Sequence, residues 1–127
     1  MDKPNKARII WIVVFILLAV LFLAEMKTHF IQKWIANVIY DNQVPYLSCD
    51  EMPELVDIEQ TVEAHQDVVE QIENIDPGFI RVYVSSSSSC PGKGILVIEY
   101  ASHDDRMQIE ALIGETFFGI PWKGLNI

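Results

Sequence analysis

Positively charged residues are scarce in this sequence. The chain of 127 residues has 9 Lys and Arg against 18 Asp and Glu, which gives a formal net charge of −9. No Lys or Arg occurs between residues 34 and 80, a stretch that contains eleven acidic residues. Because nucleic-acid binding depends on cations that neutralise phosphates, this balance excludes nucleic acid as a partner.

The usual signatures of catalysis and metal binding are also missing. The sequence has no G-x-S-x-G element, no P-loop and no D-x-D-x-D-G calcium loop. Two cysteines without a nearby pair of histidines make a poor zinc site. His103, Asp104 and Asp105 open a predicted helix, but no third ligand or nucleophile accompanies them. We therefore expect no enzyme, no cofactor and no metal site.

One long uncharged run covers residues 9–24, sixteen residues in all. At about 1.5 Å per residue it spans roughly 24 Å, slightly less than a ~30 Å hydrocarbon core. We therefore extend the predicted transmembrane anchor to residues 9–26, with residues 1–8 as a cytoplasmic tail. The alternative is a cleaved signal peptide, which would need small side chains where Phe22 and Leu17 stand. We expect the helix to be retained as a single-pass anchor in the lipid bilayer.

Charge and cysteine content predict the direction of this anchor. Residues 1–8 carry three basic residues and one acid, whereas residues 25–127 carry six basic and seventeen acidic residues, a net of −11. The positive-inside rule places the N-terminus in the cytoplasm and the C-terminal domain in the periplasm or outside the cell. Cys49 and Cys90 both lie in this outer part, where an oxidising compartment favours a disulfide bond between them.

The outer part is long enough for one small α+β domain. Residues 27–43 form a predicted amphipathic helical extension, with the anchor helix running on to about residue 40. Residues 44–127 form the domain. Its predicted strands are residues 44–47, 79–84, 95–100 and 116–122, and its predicted helices are residues 53–75 and 102–114. This βαββαβ order is ferredoxin-like, with helices on one face of an antiparallel sheet. If residues 44–47 are not a strand, a three-stranded antiparallel sheet remains.

The longer helix of the domain has an apolar and an acidic face. The apolar stripe consists of Leu55, Ile58, Val62, His65, Val69 and Ile72. The acidic face consists of Glu59, Glu63, Asp67, Glu70 and Glu73, at steps of three or four residues. Like charges at this spacing cost roughly 0.2–0.5 kcal/mol per pair, so the face is either a solvated surface or a binding site for a basic partner. His65 is either a half-buried, hydrogen-bonded side chain or a pH sensor.

These features predict a non-enzymatic interaction protein. We expect a membrane-anchored extracytoplasmic accessory protein, with a signalling role among the options, that binds and stabilises or regulates a partner membrane protein. The candidate contacts are Glu59, Glu63, Asp67, Glu70 and Trp122, on the acidic face and a sheet edge. The layout resembles that of small single-pass accessory proteins, an analogy at the level of the fold. The alternative is a sensor that binds a small apolar ligand between helices and sheet, in a pocket completed by a partner chain. The third hypothesis is a hydrolase, or an inhibitor that acts through the serine-rich loop of residues 85–94.

Overall fold

A computed structural model describes residues 5–127 of the chain. The first four residues of the predicted cytoplasmic tail lie outside the described part. The chain forms two compact units, Met1–Trp34 and Ile35–Ile127.

The first unit is dominated by the apolar helix α1, Lys6–Thr28. Asn5 begins it by accepting a hydrogen bond on its side-chain oxygen from the backbone N–H of Ala7, at 3.3 Å. With 23 residues, α1 is roughly 35 Å long, and none of its residues is buried. It is long and apolar enough to cross a membrane, a test that an N-terminal signal sequence also passes.

The predicted uninterrupted helix to residue 40 is wrong, because the helix breaks at His29. This residue adopts a left-handed backbone conformation with φ of 49°, and the next helix, α2, is only Phe30–Trp34. The carboxylate of Glu25 accepts hydrogen bonds from two N–H groups in the first turn of α2, at 2.8 and 3.2 Å. A side chain thus replaces the carbonyl partners that a continuous helix would supply. In the second unit, Ile35–Ile39 form a short π-helix.

The predicted helix over residues 53–75 is divided into α3, Leu55–Ala64, and α4, Gln66–Glu73. The break is at His65, whose φ of −125° and ψ of 39° lie outside the helical region. Its backbone N–H bonds to the carbonyl of Val62, three residues earlier, at 3.2 Å. The apolar stripe nevertheless continues across the break into the core, where Ile58, Val69 and Ile72 are buried.

The sheet has four strands and is mixed. In chain order the remaining elements are β1 (Arg81–Ser86), β2 (Gly94–Tyr100), α5 (His103–Ile113), β3 (Thr116–Phe117) and β4 (Ile120–Asn126). The spatial order is β1-β2-β4-β3, with β2 and β4 parallel and the other two pairs antiparallel. Helix α5 lies in the connection between the parallel strands, as such a connection requires.

The α+β class is confirmed, whereas the ferredoxin-like and three-stranded antiparallel versions are not. Strand β4 lies directly beside β2, where a split βαβ unit would have another strand between them. Residues 44–47 form no strand; only Gln43 makes a bridge, exchanging two backbone hydrogen bonds with Gly124 at 3.0 and 2.7 Å. Pro45 lacks the N–H that would continue this pairing. The predicted last strand is instead a hairpin of β3 and β4 that turns at Phe118 and Gly119.

The core lies between the helices and one face of the sheet. Its buried members are Ile58, Val69, Ile72, Ile80, Leu96, Ile98, Tyr100, Ile109, Phe117 and Trp122. Gly124 allows two of these rings to approach the backbone of β4, since a Cβ there would lie 2.8 Å from Trp122 and 2.9 Å from Tyr100. On the other face, Glu99 pairs with Arg81 at 2.6 Å and accepts a hydrogen bond from the Tyr83 hydroxyl at 3.0 Å.

Candidate interaction surface

The predicted acidic residues are exposed but do not form one continuous ridge. Glu59 and Glu63 lie on α3, Asp67 and Glu70 lie on α4, and the break at His65 separates the two pairs. Among residues 5–127, none of these four carboxylates has a Lys or Arg nitrogen within 4 Å. Their charge is therefore left to solvent or to a partner. In the folded protein the acidic face is these four residues, without Glu73.

Glu73, the fifth predicted member, has a structural role. Its side chain is half-buried, and its Oε1 accepts a hydrogen bond from the backbone N–H of Val82 at 3.2 Å. Val82 lies in β1, an edge strand of the sheet. Glu73 thus occupies one of the donors that this edge would offer to an added strand.

The cations of the second unit are mostly paired elsewhere. Residues 35–127 contain four Lys and Arg and sixteen Asp and Glu, so their net charge is 4 − 16 = −12. Arg81 pairs with Glu99 and Lys93 with Glu54, each at 2.6 Å. Arg106 is bound by two carboxylates of the polar cluster described below. The acidic face therefore remains uncompensated, which favours a basic surface as its complement.

An aromatic stack forms around His65, which lies between Glu63 and Asp67 in sequence. The rings of His65 and Phe118 are parallel, with centroids 3.5 Å apart and planes at 3°. Phe117 meets both rings edge-on, at 6.2 Å from His65 and 5.0 Å from Phe118. Phe117 is fully buried, whereas Phe118 is 53% exposed. The stack thus extends from the core to the surface.

Phe118 is held in an unfavourable backbone conformation. Phe118 and Gly119 form the two-residue turn between β3 and β4, with φ of 48° and 86°. Two positive φ values are typical of a type I′ hairpin turn, whose first position favours Asn or Asp. A left-handed conformation costs a bulky residue roughly 1–2 kcal/mol. The contact with His65 offsets part of this cost.

His65 was predicted to be either a half-buried, hydrogen-bonded side chain or a pH sensor, and the stack bears on the first of these. The ring is half-buried, but among the described residues it makes ring contacts and no side-chain hydrogen bond. The predicted hydrogen-bonded histidine is therefore replaced by a stacked one. The pH-sensing role stays a prediction.

Trp122, the predicted interface residue, is inaccessible in this structure. Its side chain is fully buried, and its indole N–H donates to the carbonyl of Gly114 at 3.0 Å. The exposed aromatic side chain of the tail is instead Phe118. The sequence contains a signal for this residue, because Phe118 is followed by Gly119. A two-residue turn at this pair, and not the alternation of a continuous strand, determines which ring is exposed.

A polar cluster around Asp41 was not predicted. Asp41 has a left-handed backbone with φ of 53°. Its Oδ1 lies 2.8 Å from Nδ1 of His103 and 3.0 Å from Nη1 of Arg106, and its Oδ2 accepts from the amide of Asn126 at 3.3 Å. The hydroxyl of Tyr100 donates to the Asp41 carbonyl. These contacts bind the segment that enters the second unit to α5, β2 and the end of β4.

Burial and charge set the proton affinities in this cluster. Burial is the largest effect on Tyr100, and with the nearby carboxylates it raises the pKa of the phenol to about 12. For Arg106, burial acts to lower the pKa, but the carboxylates of Glu110 and Asp41 outweigh it and the net pKa is raised. Arg106 bonds to Glu110 through Nε at 2.8 Å. The cluster is a partly buried ion-pair network, in which Arg106 is the least exposed member and His103 the most exposed.

The disulfide bond connects the segment before α3 to the serine-rich loop. Cys49 and Cys90 are bonded, with Cα atoms 5.5 Å apart. Backbone hydrogen bonds from Leu55 to Gly92 and from Gly94 to Pro53 accompany it, at 2.9 and 3.2 Å. The predicted pairing is confirmed, and it fixes the loop against the body of the domain.

One weaker candidate site is a groove on the helical side of the domain. An open groove between α4 and α5 is lined by Gln71, Ile75, Gln108, Ala111 and Leu112. It lies between two helices rather than between helices and sheet, where the ligand pocket was predicted. Within residues 5–127 there is no group of three His, Cys, Asp or Glu side chains that can hold a metal ion.

Comparisons with family models, with curated proteins and with solved structures find no match to this chain.

Proposed function

We propose that this chain is a single-pass, membrane-anchored accessory protein whose extracytoplasmic domain binds a basic surface of a partner membrane protein. The binding surface is the acidic face, Glu59, Glu63, Asp67 and Glu70. Binding stabilises or regulates the partner, and the chain itself carries out no reaction.

The anchor is α1. Its 23 residues include the uncharged run of residues 9–24 and form a helix of roughly 35 Å, which is long enough to cross a ~30 Å hydrocarbon core. The absence of small residues at the positions of Phe22 and Leu17 argues against cleavage. The basic residues Lys3, Lys6 and Arg8 precede the uncharged run of residues 9–24, and the acidic domain follows it, which favours a cytoplasmic N-terminus. The disulfide bond fits an oxidising compartment for the domain.

The observation that carries the binding proposal is the distribution of charge. Arg81, Lys93 and Arg106 each have a carboxylate partner. The carboxylates of the acidic face, in contrast, have no Lys or Arg partner among the described residues. Like charges at these helical steps destabilise the free protein by a few tenths of a kcal/mol per pair. A basic partner removes this repulsion on binding and is attracted to the domain over a distance.

The test is co-purification of the full chain with its partner from native membranes after chemical cross-linking. In the variant Glu63→Gln/Asp67→Asn, we expect the cross-linked complex to fall at least about fivefold, and more strongly at low ionic strength. The matched control is Asp50→Asn/Asp104→Asn, which removes two exposed charges away from the acidic face. Equal yields for the two variants would refute a role for the acidic face.

A further inference from the structure

We propose that α2 is an interfacial helix, whose apolar face lies in the headgroup layer of the extracytoplasmic leaflet. The partner of this surface is the lipid of the membrane that α1 crosses. The inference rests on the proposed function for the anchor, and it is independent of the acidic face and of the protein that this face binds.

The first argument is the position of α2 along the chain. The uncharged run ends at Ala24, and α1 ends four residues later at Thr28, about 6 Å further along the helix axis. The headgroup layer on each side of a bilayer is about 5–8 Å deep. Phe30, the first residue of α2, follows Thr28 by only two positions. Helix α2 therefore begins at the depth of the headgroups.

The second argument is that α2 is bound to the end of the anchor. The left-handed conformation of His29 ends α1 and changes the direction of the chain. The carboxylate of Glu25, in the last turn of α1, accepts hydrogen bonds from the backbone N–H groups of Ile31 and Gln32, at 2.8 and 3.2 Å. These charge-assisted bonds hold the first turn of α2 against α1. The helix thus stays at the membrane boundary and does not continue α1 straight into water.

The third argument is the apolar face of α2. Phe30, Ile31 and Trp34 lie on one side of the helix, and each is more than half exposed. Short amphipathic segments of this kind bury such a face at the boundary between headgroups and acyl chains. Trp is enriched at this depth, because its ring has an apolar body and one polar N–H group.

The fourth argument is charge, which favours lipid as the occupant. Residues 26–40 contain two Lys and no Asp or Glu, whereas residues 41–127 contain four basic and sixteen acidic residues. Lys27 and Lys33 are exposed, and within residues 5–127 neither has a carboxylate oxygen within 4 Å. Lysines next to an apolar surface extend their ammonium groups to lipid phosphates. A headgroup layer therefore complements both the apolar face and the two cations.

The test is depth-dependent quenching of tryptophan fluorescence in the full chain, reconstituted into vesicles of phosphatidylcholine and phosphatidylglycerol. The lipids carry bromine either near the headgroup or near the end of the acyl chains. The variant Trp11→Phe leaves Trp34 and Trp122, and Trp122 is fully buried in the domain. We expect shallow bromines to quench this variant at least about twofold more than deep bromines, since interfacial rings lie at headgroup level. Trp11→Phe/Trp34→Phe should lose this depth dependence.

The role of the apolar face is tested by Ile31→Ser in the Trp11→Phe background. We expect quenching by shallow bromines to fall about twofold, because interfacial binding scales with the buried apolar area. Val56→Ser in the same background is the matched control, since Val56 and Ile31 are both 54% exposed and Val56 lies on α3. It should leave the quenching unchanged.

Three results would overturn the inference. Trp34 that is not quenched by either lipid lies in water or is covered by protein, whether by a second copy of the chain or by another partner. Stronger quenching of Trp34 by deep bromines would make α2 part of the span. Equal effects of Ile31→Ser and Val56→Ser would show that the apolar face does not bind lipid.

Failure of the anchor is distinguished by Trp34→Phe, which retains Trp11 within α1. If Trp11 is quenched by the brominated lipids and Trp34 is not, the anchor stands and the interfacial helix is wrong. If neither is quenched, the proposed anchor fails as well.

Discussion

The hydroxyl of Tyr100 donates a hydrogen bond to the backbone carbonyl of Asp41, 59 residues earlier in the chain. Tyr100 is a fully buried residue of the central strand β2, and Asp41 lies in the segment that enters the domain. The same segment is bound by Arg106 and Asn126. The entry to the second unit is thus fixed to the core by several independent contacts.

The burial of Tyr100 makes the domain sensitive to alkaline pH. Burial raises the pKa of Tyr100 from 10.0 to about 12, so the folded state holds the phenolic proton more tightly than the unfolded state. The resulting stability is fully present below pH 10 and is lost as the pH rises towards 12. We expect the free energy of unfolding, measured in urea between pH 8 and 11.5, to fall over this range. Tyr100→Phe should cost about 1 kcal/mol at pH 8 and flatten the alkaline decline.

Tyr83→Phe is the control for that experiment. Tyr83 also has a raised pKa, first through burial and then through its bond to Glu99, but its side chain is 40% exposed on the outer sheet face. This variant should keep most of the alkaline decline. An unchanged decline in Tyr100→Phe would contradict the assignment.

The ion pairs of Arg106 and Arg81 should differ in their contribution to stability. Arg106 has only 9% of its side chain exposed and binds both Asp41 and Glu110, so Arg106→Gln leaves two carboxylates without their cation. We expect a loss of roughly 3 kcal/mol in the free energy of unfolding. Arg81 is 67% exposed, and Arg81→Gln should cost about 1 kcal/mol or less. Similar losses for the two variants, by chemical denaturation, would show that the cluster is not an internal network.

The disulfide bond should be a major source of stability. It joins residues separated by 41 positions, and the chain-entropy model assigns such a loop roughly 4 kcal/mol, with the origin of the effect disputed. We expect Cys49→Ser/Cys90→Ser to lower the free energy of unfolding by about 2–4 kcal/mol. Reductant should destabilise the wild type by a similar amount and leave the variant unchanged. A wild type that is insensitive to reductant at equilibrium would contradict this prediction.

Substitution of Phe117 should cost much more stability than substitution of Phe118. Phe117 is fully buried, so Phe117→Ala should cost about 3–5 kcal/mol. Phe118→Asn loses the stack on His65 but relieves the left-handed strain, and these terms are of similar size. We expect its free energy of unfolding to stay within about 1 kcal/mol of the wild type. Equal losses of stability for the two variants in thermal denaturation would show that Phe118 belongs to the core and not to the surface.

Local sequence signals predicted the elements that depend on near neighbours. The structure confirms the helix that Ser102 opens, where the Ser102 hydroxyl accepts from the N–H of Asp105 at 3.1 Å, and which ends at Gly114 with φ of 68°. The two strands of the β1–β2 hairpin were also expected, with bounds shifted by one or two residues at most ends. Both cysteines were paired correctly because the loop contains no competing cysteine.

The features that sequence did not predict depend on distant residues. The break at His65 coincides with its contact to Phe118, more than fifty positions later, and no local propensity reports that contact. The parallel pairing of β2 with β4 could be predicted only if residues 44–47 were known not to form a strand between them. The break at His29 is accompanied by hydrogen bonds from the Glu25 carboxylate to the start of the next helix. The apolar pattern of the sequence continues across this position and therefore predicts an unbroken helix.

The most direct test of the account is site-specific photo-cross-linking of the full chain in its native membrane. A photoreactive residue replaces Glu63 on the acidic face in one variant and Tyr83 on the outer sheet face in another. We expect one adduct of discrete mass from position 63, reduced by added salt, and no such adduct from position 83. An absent adduct at position 63, or the same adduct from both positions, would contradict the claim that the acidic face binds a partner.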